Sequence, residues 1–335
     1  MEYSKNETSY QNYEQITLPK DPQSARLHVG IIAFAAALVI ILANVAQMFA
    51  YWLIAENYPA FFESEWFSWT LSGLPIYLVG MPIAYLLLLT VPASAPKKQK
   101  TNPLMWVGFL CLCFTITYVV NYLGQYAASW FTRRTNIEVE NELAEMTSVA
   151  PLIVNFVFVG ILPPIFEELF YRKAIVNRLR RYGDLPAILI SGLIFGLTHG
   201  NFSQIFYATF AGMLLSFIYI KTGSILYTIS LHSAFNIIGG VYTAEVVRRI
   251  GSDLIPADGD TIGMTMILMY GAFVILALII GTVFFVCNVR RFKRSLQKGE
   301  YTLSFDKWMN AIVINPGTWV FLVVVILMVV ANLFT

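Results

Sequence analysis

The feature that most constrains this chain is a series of eight long stretches that contain no Asp, Glu, Lys or Arg. A helix that crosses a bilayer needs about 20 mostly apolar residues, and every stretch reaches that length. The fifth stretch contains a Gly200-Asn201 turn signal near its middle, so it predicts two helices. We therefore predict an all-α, polytopic integral membrane helical bundle of eight to nine spans. The stretches are 27–55, 66–96, 101–132, 146–166, 185–220, 222–244, 261–289 and 308–335.

The amino-acid composition favours the same class of protein. Of the 335 residues, 57% are hydrophobic and 13% are charged, and this charged share is about half that of an ordinary soluble protein. The 22 basic residues nearly cancel the 20 acidic ones, so the chain lacks the basic surface that nucleic-acid binding requires. The expected partner is the lipid bilayer, with no nucleic acid. The three cysteines lie in apolar stretches and indicate packing residues, not a disulfide framework.

The loops predict the orientation in the membrane. We interpret 1–26 as a polar cytoplasmic tail and 27–335 as one transmembrane domain. If successive loops alternate sides, 17 of the 22 basic residues lie on the side of the N-terminus, four lie opposite, and Arg172 lies within a span. Because cytoplasmic loops carry the excess of Lys and Arg, we predict a cytoplasmic N-terminus. Short loops without organelle signals favour the plasma membrane of a bacterium.

Ionisable side chains inside predicted spans indicate functional residues, because they are costly in a bilayer. Five such residues occur, namely Glu167, Glu168, Arg172, His199 and His232. Glu168 and Arg172 are four residues apart on one helix face and predict an ion pair. Adjacent helical residues point about 100° apart, so Glu167 is free to face another partner.

A proline pair precedes the two glutamates. Proline has no N–H and crowds the carbonyl four residues earlier, so Pro163 and Pro164 affect the carbonyls of Val159 and Gly160. The helix is therefore predicted to kink just before Glu167.

The polar residues of the segment 146–244 are predicted to meet at one depth. Glu168 and His199 lie roughly 20 Å along their helices from the cytoplasmic ends, and His232 lies about 12 Å along its own. His232 and Asn236 are four residues apart and share a helix face. We therefore predict a single intramembrane site at the bottom of a cavity that opens to the cytoplasmic side.

The chemistry of these groups indicates water attack on an acyl carbon. A carboxylate and an imidazole can together deprotonate a water molecule, and Glu167 with His199 fits that role. An imidazole and an amide N–H can stabilise an oxyanion, and His232 with Asn236 fits that role. Two alternatives remain open: a proton-coupled transporter that uses the ionisable groups as a pathway, and a non-catalytic scaffold whose polar residues join membrane helices.

Three short motifs resemble a known protein family. EELFYR at 167–172, FGLTH at 195–199 and HSAFN at 232–236 are similar to the EExxxR, FxxxH and HxxxN motifs of the CAAX-protease and bacteriocin-processing family, also called CPBP, Abi or type II CAAX prenyl endopeptidase-like. The motifs occur in the family's order within 163–240, about a quarter of the chain. The resemblance implies an intramembrane endopeptidase that cleaves a membrane-associated peptide or protein.

The resemblance also implies roles for individual residues. Glu167 and His199 would activate water, and His232 and Asn236 would be the oxyanion donors. Glu168, Arg172 and Phe195 would be structural. The family has been described both as metalloproteases and as metal-free glutamate proteases, so the cofactor stays open between zinc and none. If a metal is used, its ligands would be Glu167, His199 and His232.

Overall fold

The structure of the chain, a computed structural model, describes residues 22–137 and 142–334. Most of the predicted tail, residues 1–21, lies outside the described residues, whereas 22–26 belong to the first helix. The described residues contain eleven helices and no strand. The helices are α1 (Pro22–Asn57), α2 (Trp66–Leu88), α3 (Pro103–Thr135), α4 (Glu142–Val149), α5 (Leu152–Tyr182), α6 (Asp184–Leu197), α7 (Phe202–Thr222), α8 (Ile225–Ile250), α9 (Thr261–Arg294), α10 (Phe305–Val313) and α11 (Pro316–Phe334).

Eight of these helices are long and apolar enough to cross a membrane, namely α1, α2, α3, α5, α7, α8, α9 and α11. The helix α6 is also apolar but has only 14 residues, about 21 Å of helix, which is shorter than the hydrocarbon core of a bilayer. The predicted all-α, polytopic bundle of eight to nine spans is thus confirmed, with α6 as the short ninth element.

The helices α6 and α7 form a hairpin whose tip carries His199. Gly200 adopts φ +64° at the turn, a conformation that glycine reaches without steric cost. Asn201 then caps α7 by accepting a hydrogen bond from the Ser203 N–H at 2.9 Å. The two helices approach so closely that a Cβ on Gly196 would lie 1.9 Å from Thr209 Oγ1. The turn and this close contact fix the position of His199 at the end of α6.

The hydrophobic core has two main parts. The first is built mainly from α1, α2, α5 and α6, and α11 packs onto it. The second is built from α3, α7, α8 and α9. Among α5, α6, α7 and α8, here called the central helices, α5 contacts the other three, and α7 contacts α6 and α8.

Two of the central helices contain wide, π-type turns. They occur at Phe156–Ile161 and Glu168–Val176 in α5 and at Ile237–Val241 in α8. Such turns are frequent at functional sites, because the additional residue rotates the following side chains relative to a regular α-helix. The Pro163-Pro164 pair lies between the two wide turns of α5, where regular backbone hydrogen bonding is already interrupted.

The predicted orientation can be tested by labelling from each side of the membrane. We expect cysteines at Lys98 and Asp258, both exposed loop positions, to react from opposite faces with an impermeant reagent. The reason is the excess of basic residues in the loops on the Lys98 side. The test requires a background without the three native cysteines, one of which, Cys287, is exposed. Reaction of both positions from the same face would contradict the orientation.

Candidate active site

His232 lies between the two adjacent carboxylates of α5. Its Nδ1 is 3.0 Å from Glu168 Oε1, and its Nε2 is 3.8 Å from Glu167 Oε2. The other oxygen of Glu168, Oε2, is 3.3 Å from Arg172 Nε, and both of these side chains are fully buried. An ionised carboxylate accepts hydrogen bonds only, so the His232 Nδ1–H donates to Glu168. This bond leaves His232 Nε2 directed toward Glu167.

The structure therefore differs in one respect from the pairing expected from the sequence. Glu168 and Arg172 lie within ion-pair distance, as their spacing predicts, but Glu168 also binds His232. Glu167 ends a regular α-helical segment and Glu168 begins the wide turn. The two carboxylates consequently approach the same imidazole from different directions, with Glu168 on the buried side and Glu167 on the more accessible side.

His199 is held by the end of its own helix. Its Nδ1–H donates to the Phe195 carbonyl oxygen at 2.8 Å, because a carbonyl oxygen can only accept. In the neutral ring this bond leaves a lone pair on Nε2. Thr198 Oγ1 donates to the same carbonyl at 2.9 Å and lies 2.7 Å from the Tyr171 hydroxyl. Within the described part of the chain, His199 makes no direct hydrogen bond to Glu167, although both side chains line the same cavity.

The Phe195 ring lies at the centre of the site. Its centroid is 4.9 Å from that of His199 and 6.0 Å from that of His232, and both contacts are edge-to-face. The guanidinium carbon of Arg172 lies 4.5 Å from the same ring centroid, within the range of a cation–π interaction. Phe195 is also buried against Tyr171. The ring therefore packs against both imidazoles and against the buried Arg172 guanidinium.

Asn236 supplies a hydrogen-bond donor that the proline pair lacks. Its Nδ2 donates to the Val159 carbonyl at 3.0 Å. Pro163 and Pro164 occupy the positions whose N–H groups would otherwise reach this oxygen, and neither has one. An amide NH₂ has two donors, so this bond orients the side chain and leaves the second N–H available. The sequence pattern predicts the kink but does not reveal that Asn236 binds the carbonyl there.

Loss of this bond should destabilise the fold. We expect Asn236→Leu to lower the free energy of unfolding by about 1–3 kcal/mol, because a buried carbonyl would lose its donor. Asn44→Leu is the matched control, since Asn44 Nδ2 bonds the carbonyl of Ile40 within its own helix, where the backbone N–H of Asn44 is also available. Denaturant titration in detergent measures both variants. Equal losses for the two variants would contradict the role of Asn236.

One cavity of about 580 Å³ connects the four predicted catalytic side chains. Glu167, His199, His232 and Asn236 all line it. The rest of the lining includes polar, uncharged side chains that the sequence did not identify as site residues. Asn, Gln, Ser, Thr and Tyr carry no charge, so they do not stand out within an uncharged stretch. Among them are Asn121, Gln125, Ser203, Gln204, Tyr207 and Thr243.

The cavity opens toward the helix ends opposite the basic loops, whereas the sequence predicts an opening on the side of those loops. From the site, the lining continues along α3 and α8 to Gln125 and Thr243, toward the helix ends that carry the α3–α4 and α8–α9 loops. Gln125 is exposed, so the cavity reaches the surface there. Toward the basic loops, Ile175, Leu179 and Ile218 are fully buried and close that side. Counting residues along each helix gives a depth, but it does not reveal which side of the site is packed.

The arrangement does not fit a three-ligand zinc site. The described residues contain no group of three His, Cys, Asp or Glu side chains placed to hold a metal ion. The trio Glu167, His199 and His232, the predicted ligands if a metal is used, is therefore not placed as such a group. A tetrahedral zinc site needs three protein ligands that converge on one point, so no catalytic step is assigned to a metal.

Comparison with known proteins supports a peptidase. Residues 149–238, which include all three motifs, match the sequence model of the family described as "Type II CAAX prenyl endopeptidase Rce1-like". The predicted resemblance is confirmed over this segment. The "Putative membrane peptidase YdiL" of Bacillus subtilis (strain 168) is 25% identical over 186 residues, which are 52% of this chain and 71% of that protein.

A second relative has a name that states no activity. The "UPF0177 protein YxdF" of Lactococcus lactis subsp. lactis (strain IL1403) is 23% identical over 172 residues, which are 51% of this chain and 91% of that protein. No solved structure matches the chain. Together with the eight apolar helices, these similarities support a multi-pass membrane peptidase of bacterial type.

Proposed function

We propose that this chain is an intramembrane endopeptidase that hydrolyses a peptide bond of a membrane-associated peptide or protein. The observation that carries the proposal is the convergence of Glu167, His199, His232 and Asn236 on one cavity. The position of His232 between two carboxylates supports it. The contact with Glu168 orients the His232 ring, so that its Nε2, which can donate or accept a hydrogen bond, lies beside the proposed general base Glu167. The similarity of residues 149–238 to a peptidase family supports the same reaction class.

In the proposed reaction a water molecule binds between Glu167 and His199 Nε2. Glu167 takes one proton, and the water oxygen forms a bond to the carbonyl carbon of the substrate. The electron pair of the C=O bond moves to its oxygen, which becomes an oxyanion. When the C–N bond breaks, the electron pair returns, and Glu167 delivers the proton to the departing amine.

Asn236 and His232 are the proposed oxyanion donors. The second N–H of the Asn236 amide is free of Val159 and is available as one donor. His232 supplies the other from Nε2 when its ring carries both protons, since its Nδ1–H remains bound to Glu168. Donors held in place before the reaction stabilise developing charge without reorganising. Glu168 and Arg172 act as positioning residues, because they orient His232 and do not line the cavity.

Water activation by Glu167 requires no metal in this proposal. We therefore expect the cleavage rate of purified protein to stay within about twofold after treatment with a strong zinc chelator, because the general base and both donors are protein groups. The measurement is the initial rate before and after chelation. Loss of activity that is restored by added Zn²⁺, and not by Mg²⁺, would contradict the metal-free mechanism.

The function itself is tested by mapping new protein N-termini in membranes. Cells that express the wild-type chain should contain N-termini of membrane proteins that are absent from cells expressing Glu167→Gln at equal level. A transporter or a scaffold predicts identical sets of N-termini in the two strains. That result would contradict the peptidase proposal.

A further inference from the structure

Three amide side chains on the cavity wall make no side-chain hydrogen bond to any of the residues that the structure describes. Asn121 and Gln125 are one turn apart on α3, and Gln204 lies in the first turn of α7. Gln204 is only 6% exposed, yet its side chain makes no hydrogen bond to any residue that the structure describes. Amide groups at a cavity surface bind water there, and a ligand with hydrogen-bonding groups can replace that water.

The chemistry of the wall matches a polypeptide backbone. An amide side chain offers both N–H donors and a carbonyl acceptor, which are the groups that an extended peptide requires along its length. Apart from Glu167 and the two histidines of the site, the lining contains no Asp, Lys, Arg or further carboxylate among the described residues. An ion or a charged headgroup would therefore find no counter-charge along this wall, whereas a peptide segment would find hydrogen-bonding partners.

The three amides also indicate the side from which a substrate peptide would enter the cavity. They lie between the site and the helix ends opposite the basic loops, and Gln125 is exposed there. On α7 itself, Gln204 lines the cavity, whereas Ile218, toward the other end, is fully buried. Because the basic loops are predicted to be cytoplasmic, the open side is the outer one.

We infer that the substrate is an extracytoplasmic segment of a membrane peptide or protein, which enters extended from the outer side and is held through its backbone by Asn121, Gln125 and Gln204. The inference rests on the proposed peptidase function for its chemistry. The direction of access rests on the packing and on the predicted orientation of the basic loops, and it can be measured without any cleavage.

The direction of access is tested by cysteine labelling. In a background with Cys111, Cys113 and Cys287 replaced by Ala, Gln204→Cys should react with a small impermeant methanethiosulfonate reagent from the face that labels Asp258→Cys. Ile218→Cys on the same helix should react from neither face. Reaction of Gln204→Cys only from the face that labels Lys98→Cys, or from no face, would overturn the inference.

The substrate class is tested by where the new N-termini lie. The inference expects those that depend on Glu167 to map to extracytoplasmic segments of membrane proteins. If they map to cytoplasmic segments, this inference fails and the proposed function stands. If none appears, the proposed function fails, and the labelling still decides the route to the cavity.

The role of the amides is tested on a membrane protein found by that mapping. Gln204→Leu should raise KM by about 3–10-fold, the equivalent of one lost hydrogen bond, with kcat unchanged because the contact is remote from the reacting atoms. Gln99→Leu, in an exposed loop, is the matched control and should leave both constants unchanged. An unchanged KM in Gln204→Leu would exclude Gln204 from substrate binding.

Discussion

Replacing Glu167 with Gln is expected to lower the cleavage rate by about 10²–10⁴-fold, the contribution of a general base, while the protein remains folded. The substitution keeps the shape of the side chain and removes only its ability to take a proton. Fold retention is expected because Glu167 is part-exposed to the cavity and its closest ionic contact is His232 Nε2 at 3.8 Å. The measurement is the initial cleavage rate, with thermal unfolding recorded for the same preparation.

The matched control for Glu167 is Glu245→Gln. Glu245 also belongs to a central helix, but it pairs with Arg248 near the surface and does not line the cavity. We expect this variant to retain the wild-type rate. Residual activity of Glu167→Gln above about a tenth of the wild-type rate would show that another group activates the water.

Replacing Arg172 with Ala is expected to lower the free energy of unfolding by about 3–5 kcal/mol, the usual effect of removing one partner of a buried ion pair. Arg172 and Glu168 are both fully buried, so the remaining carboxylate would have neither solvent nor its cation. The contact of the guanidinium with the Phe195 ring would be lost as well. Denaturant titration in detergent should therefore separate Arg172→Ala clearly from Glu167→Gln.

A double variant distinguishes stability from catalysis at this pair. Replacing both charges of a buried pair by apolar residues is often neutral for stability, so Glu168→Leu combined with Arg172→Leu should regain most of the lost free energy. Activity should not return, because His232 Nδ1 would have no acceptor to orient its ring. Equal stability of Arg172→Ala and Glu167→Gln would contradict the structural role of the pair, and a fully active double variant would contradict its positioning role.

The sequence predicts the architecture well because the bilayer imposes a simple constraint. Long uncharged stretches identify all eight long helices, and the Gly200-Asn201 turn identifies the split between α6 and α7. The spacing of Glu168 and Arg172 predicts their proximity, because both lie one turn apart on a single helix. Motif residues on three different helices also line the same cavity, which agrees with their predicted convergence.

Other features of the site depend on packing that a sequence pattern does not encode. The wide turn that begins at Glu168 allows His232 to approach both carboxylates, and no residue type marks that turn. The orientation of Asn236 depends on a carbonyl that two prolines leave without a donor. The side on which the cavity opens depends on which apolar residues pack together at its closed end. The sequence does not show this, because buried residues such as Ile175 and Ile218 are of the same type as lipid-facing residues.

The most direct test of the proposed peptidase activity is cleavage by the purified chain, reconstituted in liposomes that contain no other protein except one membrane substrate identified by N-terminal mapping. We predict that the wild-type chain cleaves this substrate at the bond found in cells and that Glu167→Gln, equally folded, does not. Cleavage at equal rates by both proteins, or no cleavage by the wild-type chain, would contradict this prediction.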